Sequence, residues 1–339
     1  MVSVTRRAVW NGDFNFSVVE EDIPKLKHGQ VLVKVLCSGI CGSDTHQIQG
    51  LFPGKPPPRV LGHEFSGEVI EVESSSNDHL LGKAVTCEPF ASPCEGECSF
   101  CSNNPGVTCP EREHFGGFSE YLALPLSVIH EMPEGMDSLV GSLAEPASCC
   151  ISGLKLARFE SGMNVVITGA GIIGLLTGVF AKQFGANCVI ISDPKKDRRD
   201  LAKKMGINIT VDPTSENLSQ VVVDNIGEFG CDIGIEAVGS LSLLEELFPI
   251  VKPRGTIQLA GVNPKDKNFP FDSFDFHFKE ITLTGAFGKG NYFSEAVSCL
   301  SRLDFTDFKG KFYSLDNIVA GFKNSIDAND IKTFIKPHD

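Results

Sequence analysis

Positive charge is scarce in this chain. Thirty lysines and arginines stand against 43 aspartates and glutamates in 339 residues, a formal net charge of −13. A nucleic-acid partner needs basic surface to replace phosphate counterions, so that class is set aside. Uninterrupted membrane-length apolar runs are missing as well: Val165 to Ala181 is uncharged, but it is turn-forming at its centre and slightly short of a span. No export signal is visible, because Met1 to Asn15 carries Arg6 and Arg7 with no apolar core behind them. Internal repeats and low-complexity tracts are absent too. A soluble, cytoplasmic protein with no membrane or nucleic-acid partner is the expectation, long enough for two domains with cores of their own. Cysteine, by contrast, is plentiful at twelve residues. With no export signal, and with four cysteines crowded into Cys94 to Cys109 at metal-like spacing, reduced thiols and a metal are expected rather than disulfides.

The most informative stretch is Asn164 to Asp193. Val165 to Thr168 reads as a buried parallel strand, followed by Gly169-x-Gly171-x-x-Gly174 and a helical pattern from Ile172 to Gln183. A second apolar run, Cys188 to Ser192, ends on Asp193, 24 residues after the first glycine. Gly169 permits a tight turn, Gly171 keeps the backbone open to a pyrophosphate, and Gly174 lets the helix approach the strand. The helix N-terminus offers free N–H groups to the anion, and a carboxylate about 20 residues on suits a ribose. A glycine-rich helix–helix contact is the plain alternative, but strand, helix, second strand and terminal acid together favour a dinucleotide. Asp193 accepts from both ribose hydroxyls and repels a 2′-phosphate, which favours NAD over NADP. Lys195, Lys196, Arg198 and Arg199 follow closely and weaken that preference.

Residues before about 150 are strand-and-loop in character. Val31 to Leu36 and Phe65 to Val72 are short β-branched runs around the proline-rich Gly50 to Arg59. From Ile151 strands alternate with helices, with strands expected at 209–211, 232–236, 256–260 and 281–284. That alternation calls for a doubly wound parallel sheet. Beyond Gly285 the pattern mixes helices near 292–303 and 315–327 with a last strand at 332–335, and Ser74 to Asp78 reads as a surface turn.

Cys41 in G-I-C-G-S-D and His63-Glu64 in G-H-E offer ligands suited to zinc, with Gly42 and Gly62 beside them. Singly, each has a plain reading as a buried thiol or a surface His-Glu pair. With G-G-F-S-E-Y at 116–121, Glu145-Pro146, the cysteine lobe and the glycine turn, they form a specific set. Over essentially its full length the chain resembles the zinc-dependent medium-chain dehydrogenases of the alcohol dehydrogenase superfamily. The polyol branch that includes sorbitol dehydrogenase, and the related threonine dehydrogenases, fit best.

The resemblance implies an α/β fold with a Rossmann nucleotide domain and a mostly-β GroES-like catalytic domain. Residues 1–150 form the catalytic domain, with a zinc lobe at 90–110; residues 151–285 bind NAD, and 286–339 return to the catalytic domain. Cys41 and His63 match catalytic zinc ligands, with Glu64 and Glu145 at or near the remaining positions. Asp44 matches a carboxylate orienting a ligand histidine, Ser43 the hydroxyl that takes the substrate proton, and His46 its relay. Ile172, Ile173, Val238 and Gly261 join the glycines and Asp193 around the cofactor, with Arg198 near the adenosine. Cys94, Cys98, Cys101 and Cys109 match a structural zinc site, although the spacing C-x3-C-x2-C-x7-C is one residue longer than the family's, an excess Gly96 could absorb as a bulge. Cys37, Cys87, Cys149, Cys150, Cys188, Cys231 and Cys299 read as core thiols.

Two departures bear on the substrate. The segment after Cys109 is short, so His114 and Phe115 are expected to intrude on the active-site wall. Gly288 stands where sorbitol dehydrogenases carry an arginine, with Lys289 beside it. The resemblance implies NAD-dependent oxidation of a polyol or sugar-derived secondary alcohol. Amino alcohols and simple secondary alcohols are rivals, and a homodimer or homotetramer meeting at the nucleotide-domain sheet edge is implied. A zinc-free reductase of the same superfamily and a catalytically idle NAD-binding protein remain as alternatives.

Overall fold

A computed structural model describes residues 3–339 except 53, 93, 95, 96, 104–108, 264, 266, 289 and 329. Gly96 and Lys289 therefore lie outside the described residues. The chain divides into two compact units. The first comprises 1–145, 293–301 and 309–339, and the second 146–292 and 302–308.

The first unit is built on the strand Gln30–Gly39, whose β-branched residues Val31, Val33 and Val35 are fully buried. It pairs antiparallel with Glu64–Val72 and Tyr121–Pro125, and its last residues pair with Thr333–Ile335. Ala84–Cys87 and Ile129–Glu131 extend the sheet on one side and Lys311–Tyr313 on the other. A smaller sheet joins Val4–Gly12 to Asn15–Asp22 and Arg59–Val60. Trp10, Ile40, Ile48, Leu61, Phe118, Phe322 and Ile335 close one core, and burying a ring such as Phe118 contributes about 2–3 kcal/mol. Gln30–Gly39 thus ends among buried side chains from both ends of the sequence, directly before Cys41.

The second unit is a six-stranded parallel sheet in the order Ile209–Val211, Cys188–Ser192, Asn164–Thr168, Cys231–Glu236, Val251–Leu259, Thr282–Gly285. Numbered along the chain, that order is 3-2-1-4-5-6, the doubly wound Rossmann arrangement. Its central strands are buried almost throughout and mostly apolar, as strands covered on both faces must be. The order reverses between Asn164–Thr168 and Cys231–Glu236, and ligands bind such sheets beyond the carboxyl ends at that reversal.

Four details differ from the sequence reading. Val251–Leu259 starts five residues early, running through Pro253-Arg254-Gly255 with Arg254 at φ 63° and a register shift opposite Cys231 to Ile233. Lys311–Tyr313 is a strand that three residues of pattern did not announce. The surface turn expected at Ser74 to Asp78 is longer than expected, a 3₁₀ turn over Ser75–Leu80 capped by Ser74. Cys149 is only half-buried, whereas the other expected core thiols are buried.

Candidate metal centres and nucleotide turn

Cys41, His63 and Glu64 converge: one ligand atom of each lies within 4.8 Å of the others. Cys41 is the N-cap of the helix Gly42–Ile48, so its side chain leaves the backbone where the strand layer turns into the helix. Asp44, in the first helical turn and 3% exposed, fixes both sides of the site. One of its oxygens accepts from the Cys41 N–H at 3.3 Å, and the other sits 3.2 Å from His63 Nδ1. His63 Nε2 is thereby aimed away from Asp44, 3.4 Å from Ser43 Oγ. Burial lowers the His63 pKa, but Asp44 and then Cys41 outweigh it, leaving the imidazole well above its ordinary value. A metal must displace that proton, so metal binding weakens as pH falls.

Glu64 is fully buried. Lys332, 268 residues away in sequence and itself 6% exposed, hydrogen-bonds its Oε1 at 2.7 Å. The ammonium also lies 2.5 Å from Oε2, so it pairs with both oxygens of the carboxylate. A desolvated carboxylate beside a thiol and an imidazole is a donor set that fits a divalent cation, which would share the carboxylate with Lys332. Burial acts to lower the Lys332 pKa; Glu64, Cys41 and Glu145 together raise it above the usual lysine value, so the ammonium stays charged. Space is tight here, because a Cβ on Gly39 would fall 2.2 Å from Glu64 Oε2. Glu145, 8% exposed near the start of the helix Ala144–Leu156, is not in the convergent set. His46 is half-buried on the helix Gly42–Ile48, one turn beyond Ser43.

Cys94, Cys98, Cys101 and Cys109 also place their sulfurs within 4.8 Å of one another. Cys94 Sγ is 3.6 Å from Cys101 Sγ and 3.9 Å from Cys109 Sγ. A tetrahedron with zinc–sulfur bonds of about 2.3 Å has edges of about 3.8 Å, so these thiols fit the ion. Hydrogen bonding to Cys98, then burial, pushes Cys101 up to about 12; a bound cation would reverse that order by favouring thiolate.

In the second unit, Gly169 takes φ 98° and Gly171 is the N-cap of Ile172–Gln183, with no side chain satisfying the helix's first N–H groups. A Cβ on Gly174 would fall 1.9 Å from the Gly169 carbonyl, which is why the helix start needs a residue without one. Asp193, 4% exposed, accepts from the N–H of Ala170 at 2.8 Å and of Lys195 at 2.8 Å, tying the acid to the glycine turn. Val238 is pinned by Glu236 Oε1, which also accepts from Gly239 and Ser240. A Cβ on Gly261 would fall 2.1 Å from the Gly239 nitrogen, so these two loops pack directly at the strand-order reversal. All nine expected cofactor residues except Gly261 thus lie on or beside the turns that follow Thr168, Ser192 and Glu236, and Gly261 abuts the last of them.

The family model described as an alcohol dehydrogenase GroES-like domain matches residues 27–134, and that for a zinc-binding dehydrogenase matches 173–302. An L-threonine 3-dehydrogenase of Pyrococcus horikoshii is 33% identical over 81% of this chain and 80% of that protein. The chain belongs to the zinc-type medium-chain dehydrogenases. A D-arabitol-phosphate dehydrogenase of Enterococcus avium is 29% identical over 94% of this chain and 93% of its own length. A solved Sinorhizobium meliloti structure, described as a zinc-binding dehydrogenase bound to NADP, superposes with TM-score 0.90 at 30% identity, covering 99% of this chain and 100% of that one. Family membership makes zinc and a pyridine nucleotide the cofactors, and small alcohols the substrate class.

Within this dehydrogenase two basic neighbours of the ligand motifs, acting on Glu64 and Asp44, escaped the sequence reading. Lys332 left one trace, a charge inside the apolar run Ile331 to Ile335 that lines up as a buried strand. Arg59 left none, sitting behind three prolines in what reads as a loop. Phe115, expected on the active-site wall, instead packs in the core with Val31, Phe65 and Leu124. His114 is half-buried and close enough to His63 and Asp44 to interact with both electrostatically. No described helix is long and apolar enough to cross a membrane.

Proposed function

We propose that this dehydrogenase oxidises a polyol or sugar-derived secondary alcohol to the ketone, with NAD as acceptor. The observation that carries the reading is the convergence of Cys41, His63 and Glu64. Cys41, His63 and Glu64 would hold the catalytic zinc, with Glu145 held in reserve nearby, and the four lobe thiols would hold the structural one. When bound, zinc supplies a Lewis acid that polarises the alcohol oxygen, and the nucleotide supplies the hydride acceptor. Ser43 takes the alcohol proton, and His46, three residues along the same helix face, passes it to solvent. Asp44 holds the His63 ring in the tautomer that leaves Nε2 for the metal. Lys332 offsets the Glu64 charge, so the pocket is not overloaded with anions.

NAD is favoured because Asp193 is an acid fixed at the strand end, while Lys196 and Arg199 are already committed to Asp200 and Asp212. Arg198, 3.7 Å from Asp193, is the group that would meet a 2′-phosphate, and the Sinorhizobium relative carries NADP. The polyol reading draws on the arabitol-phosphate relative; an amino alcohol is the second reading, drawn from the threonine relative. A homodimer or homotetramer is proposed through Thr282–Gly285, an edge strand that carries exposed Leu283 and is followed by exposed Phe287. Thiol ligation at both clusters suits a reducing compartment, hence the cytoplasm.

The test is NADH formation against polyols, inositols, amino alcohols and simple secondary alcohols, repeated with NADP and with Asp193→Ala. Turnover of a polyol, and a ratio of NAD to NADP efficiency that falls roughly tenfold or more in the variant, are expected. An unchanged ratio would show that Asp193 does not meet the ribose, and turnover confined to amino alcohols would overturn the polyol reading.

A further inference from the structure

We infer that Arg59 and Arg112 form a receptor for a phosphate monoester carried by the alcohol, so that the substrate is a phosphorylated polyol. The inference rests on the dehydrogenase reading of the same pocket.

Arg59 opens the two-residue strand that leads through Leu61 and Gly62 into His63, and it is fixed opposite Trp10. The segment after Arg112 runs alongside: the Gly117 N–H donates to the Gly62 carbonyl at 2.8 Å and the Phe118 N–H to Leu61 at 3.1 Å. The Arg112 guanidinium lies 5.0 Å over the Phe90 ring, and the His114 ring lies 5.3 Å from the same ring. Backbone pairing thus brings the segments that carry Arg59, Arg112 and His114 together beside His63, close enough that these side chains act on one another electrostatically.

What these cations lack is an anion. Arg59 is half-buried, and its guanidinium makes no hydrogen bond or ion pair among the described residues. Arg112 donates from Nη1 to the Cys109 carbonyl at 3.2 Å and meets no carboxylate among them. The acid that acts on Arg59 electrostatically is Asp44, whose two oxygens are already engaged by His63 and the Cys41 N–H. Burial, with Arg112 adding to it, lowers the Arg59 pKa; Asp44 opposes them. His114 is pushed down to about 3 by burial, then by His63 and Arg59, so it is neutral and adds a hydrogen-bonding group, not a charge. A solvated arginine is the plain reading, but solvated arginines are not gathered in pairs on the half-buried flank of a metal site in a chain of net charge −13. Guanidinium forks match phosphate oxygens two at a time, and two of them suit a dianion better than a carboxylate.

The test pairs sorbitol, galactitol and arabitol with their terminal phosphates, and includes gluconate as a carboxylate arm, using the zinc-loaded full chain. Efficiency for at least one phosphate is expected to exceed that of its neutral partner by about 30-fold or more, and Arg59→Gln should cut that ratio roughly tenfold, with Arg59→Lys recovering part. In calorimetry, the preferred phosphate ester should bind the zinc-loaded protein with a Kd roughly tenfold higher in Arg59→Gln, while the Kd for NAD is unchanged. Equal efficiencies within every pair, a ratio indifferent to Arg59, or a preference for gluconate would each overturn the phosphate receptor. Turnover of neutral polyols without discrimination would sink the receptor and spare the dehydrogenase. Phosphate binding through Arg59 with no alcohol oxidised would do the reverse.

Discussion

At the Cys41 cluster each ligand is gripped by a residue of another kind, whereas at Cys94–Cys109 the thiols mostly grip one another. Asp44 orients His63 and caps against Cys41, and Lys332 neutralises Glu64 from the far end of the chain. In the lobe, Ser92 reaches Cys94 at 3.1 Å, and the Cys101 N–H reaches Cys98 at 3.4 Å. Four thiolates fill a tetrahedron and leave nothing for a substrate; a thiolate, an imidazole and a carboxylate leave a position open and set its charge. The surroundings follow the task. A site that must move a proton needs groups that hold its ligands in one protonation state, and a site that only ties down a loop does not.

Removing a ligand from each cluster should separate these roles. Cys41→Ser is expected to lower kcat/KM by about 100-fold or more, roughly 2.7 kcal/mol of transition-state stabilisation, while NAD still binds. Steady-state kinetics with calorimetry of NAD binding checks both halves, and more than a few per cent of activity retained would erase the distinction. In the lobe, Cys101→Ser should reduce zinc from two ions per chain to one and lower the unfolding midpoint by roughly 5–10 °C, leaving the folded fraction active. Metal analysis beside thermal unfolding reads this, and unchanged zinc content would mean the lobe is not a metal site.

The smallest effect concerns His114, next to the first cluster. Its folded value of about 3 lies below its ordinary 6.5, so the unfolded chain binds the proton first. The resulting stability is fully present above pH 6.5 and is lost as pH falls from there toward 3. His114→Gln should therefore flatten the acid side of the stability curve by about one proton between pH 6 and 4. Denaturation midpoints measured at several pH values would show it; an unaltered slope would mean that His114 is solvated.

Local signals carried the second unit almost whole. The helix Ile172–Gln183 begins and ends where its glycine turn and apolar period place it, because strand, turn and helix there are contiguous and each obeys its own period. The first unit was legible in its strands and in the ligand motifs, but not in what holds those motifs together. Cys41, His63 and Lys332 meet only because Gln30–Gly39 pairs with Glu64–Val72 on one side and Thr333–Ile335 on the other. Pairing partners so far apart leave no mark in a window of ten residues. Arg59 was hidden for the opposite reason: two residues of strand are too few to show any period. Pro253 and Gly255 are poor strand formers, yet the sheet absorbed them with one residue at positive φ, so tertiary pairing overrode local preference.

The bare α-carbon of Gly39 has a wider meaning. The volume a methyl group would occupy there is already taken by a carboxylate oxygen of the metal pocket. The central strand of the first unit and its reactive centre therefore share one wall with no slack between them. Any side chain at that position would drive the acid off its lysine, making this a point where scaffold and chemistry can change only together.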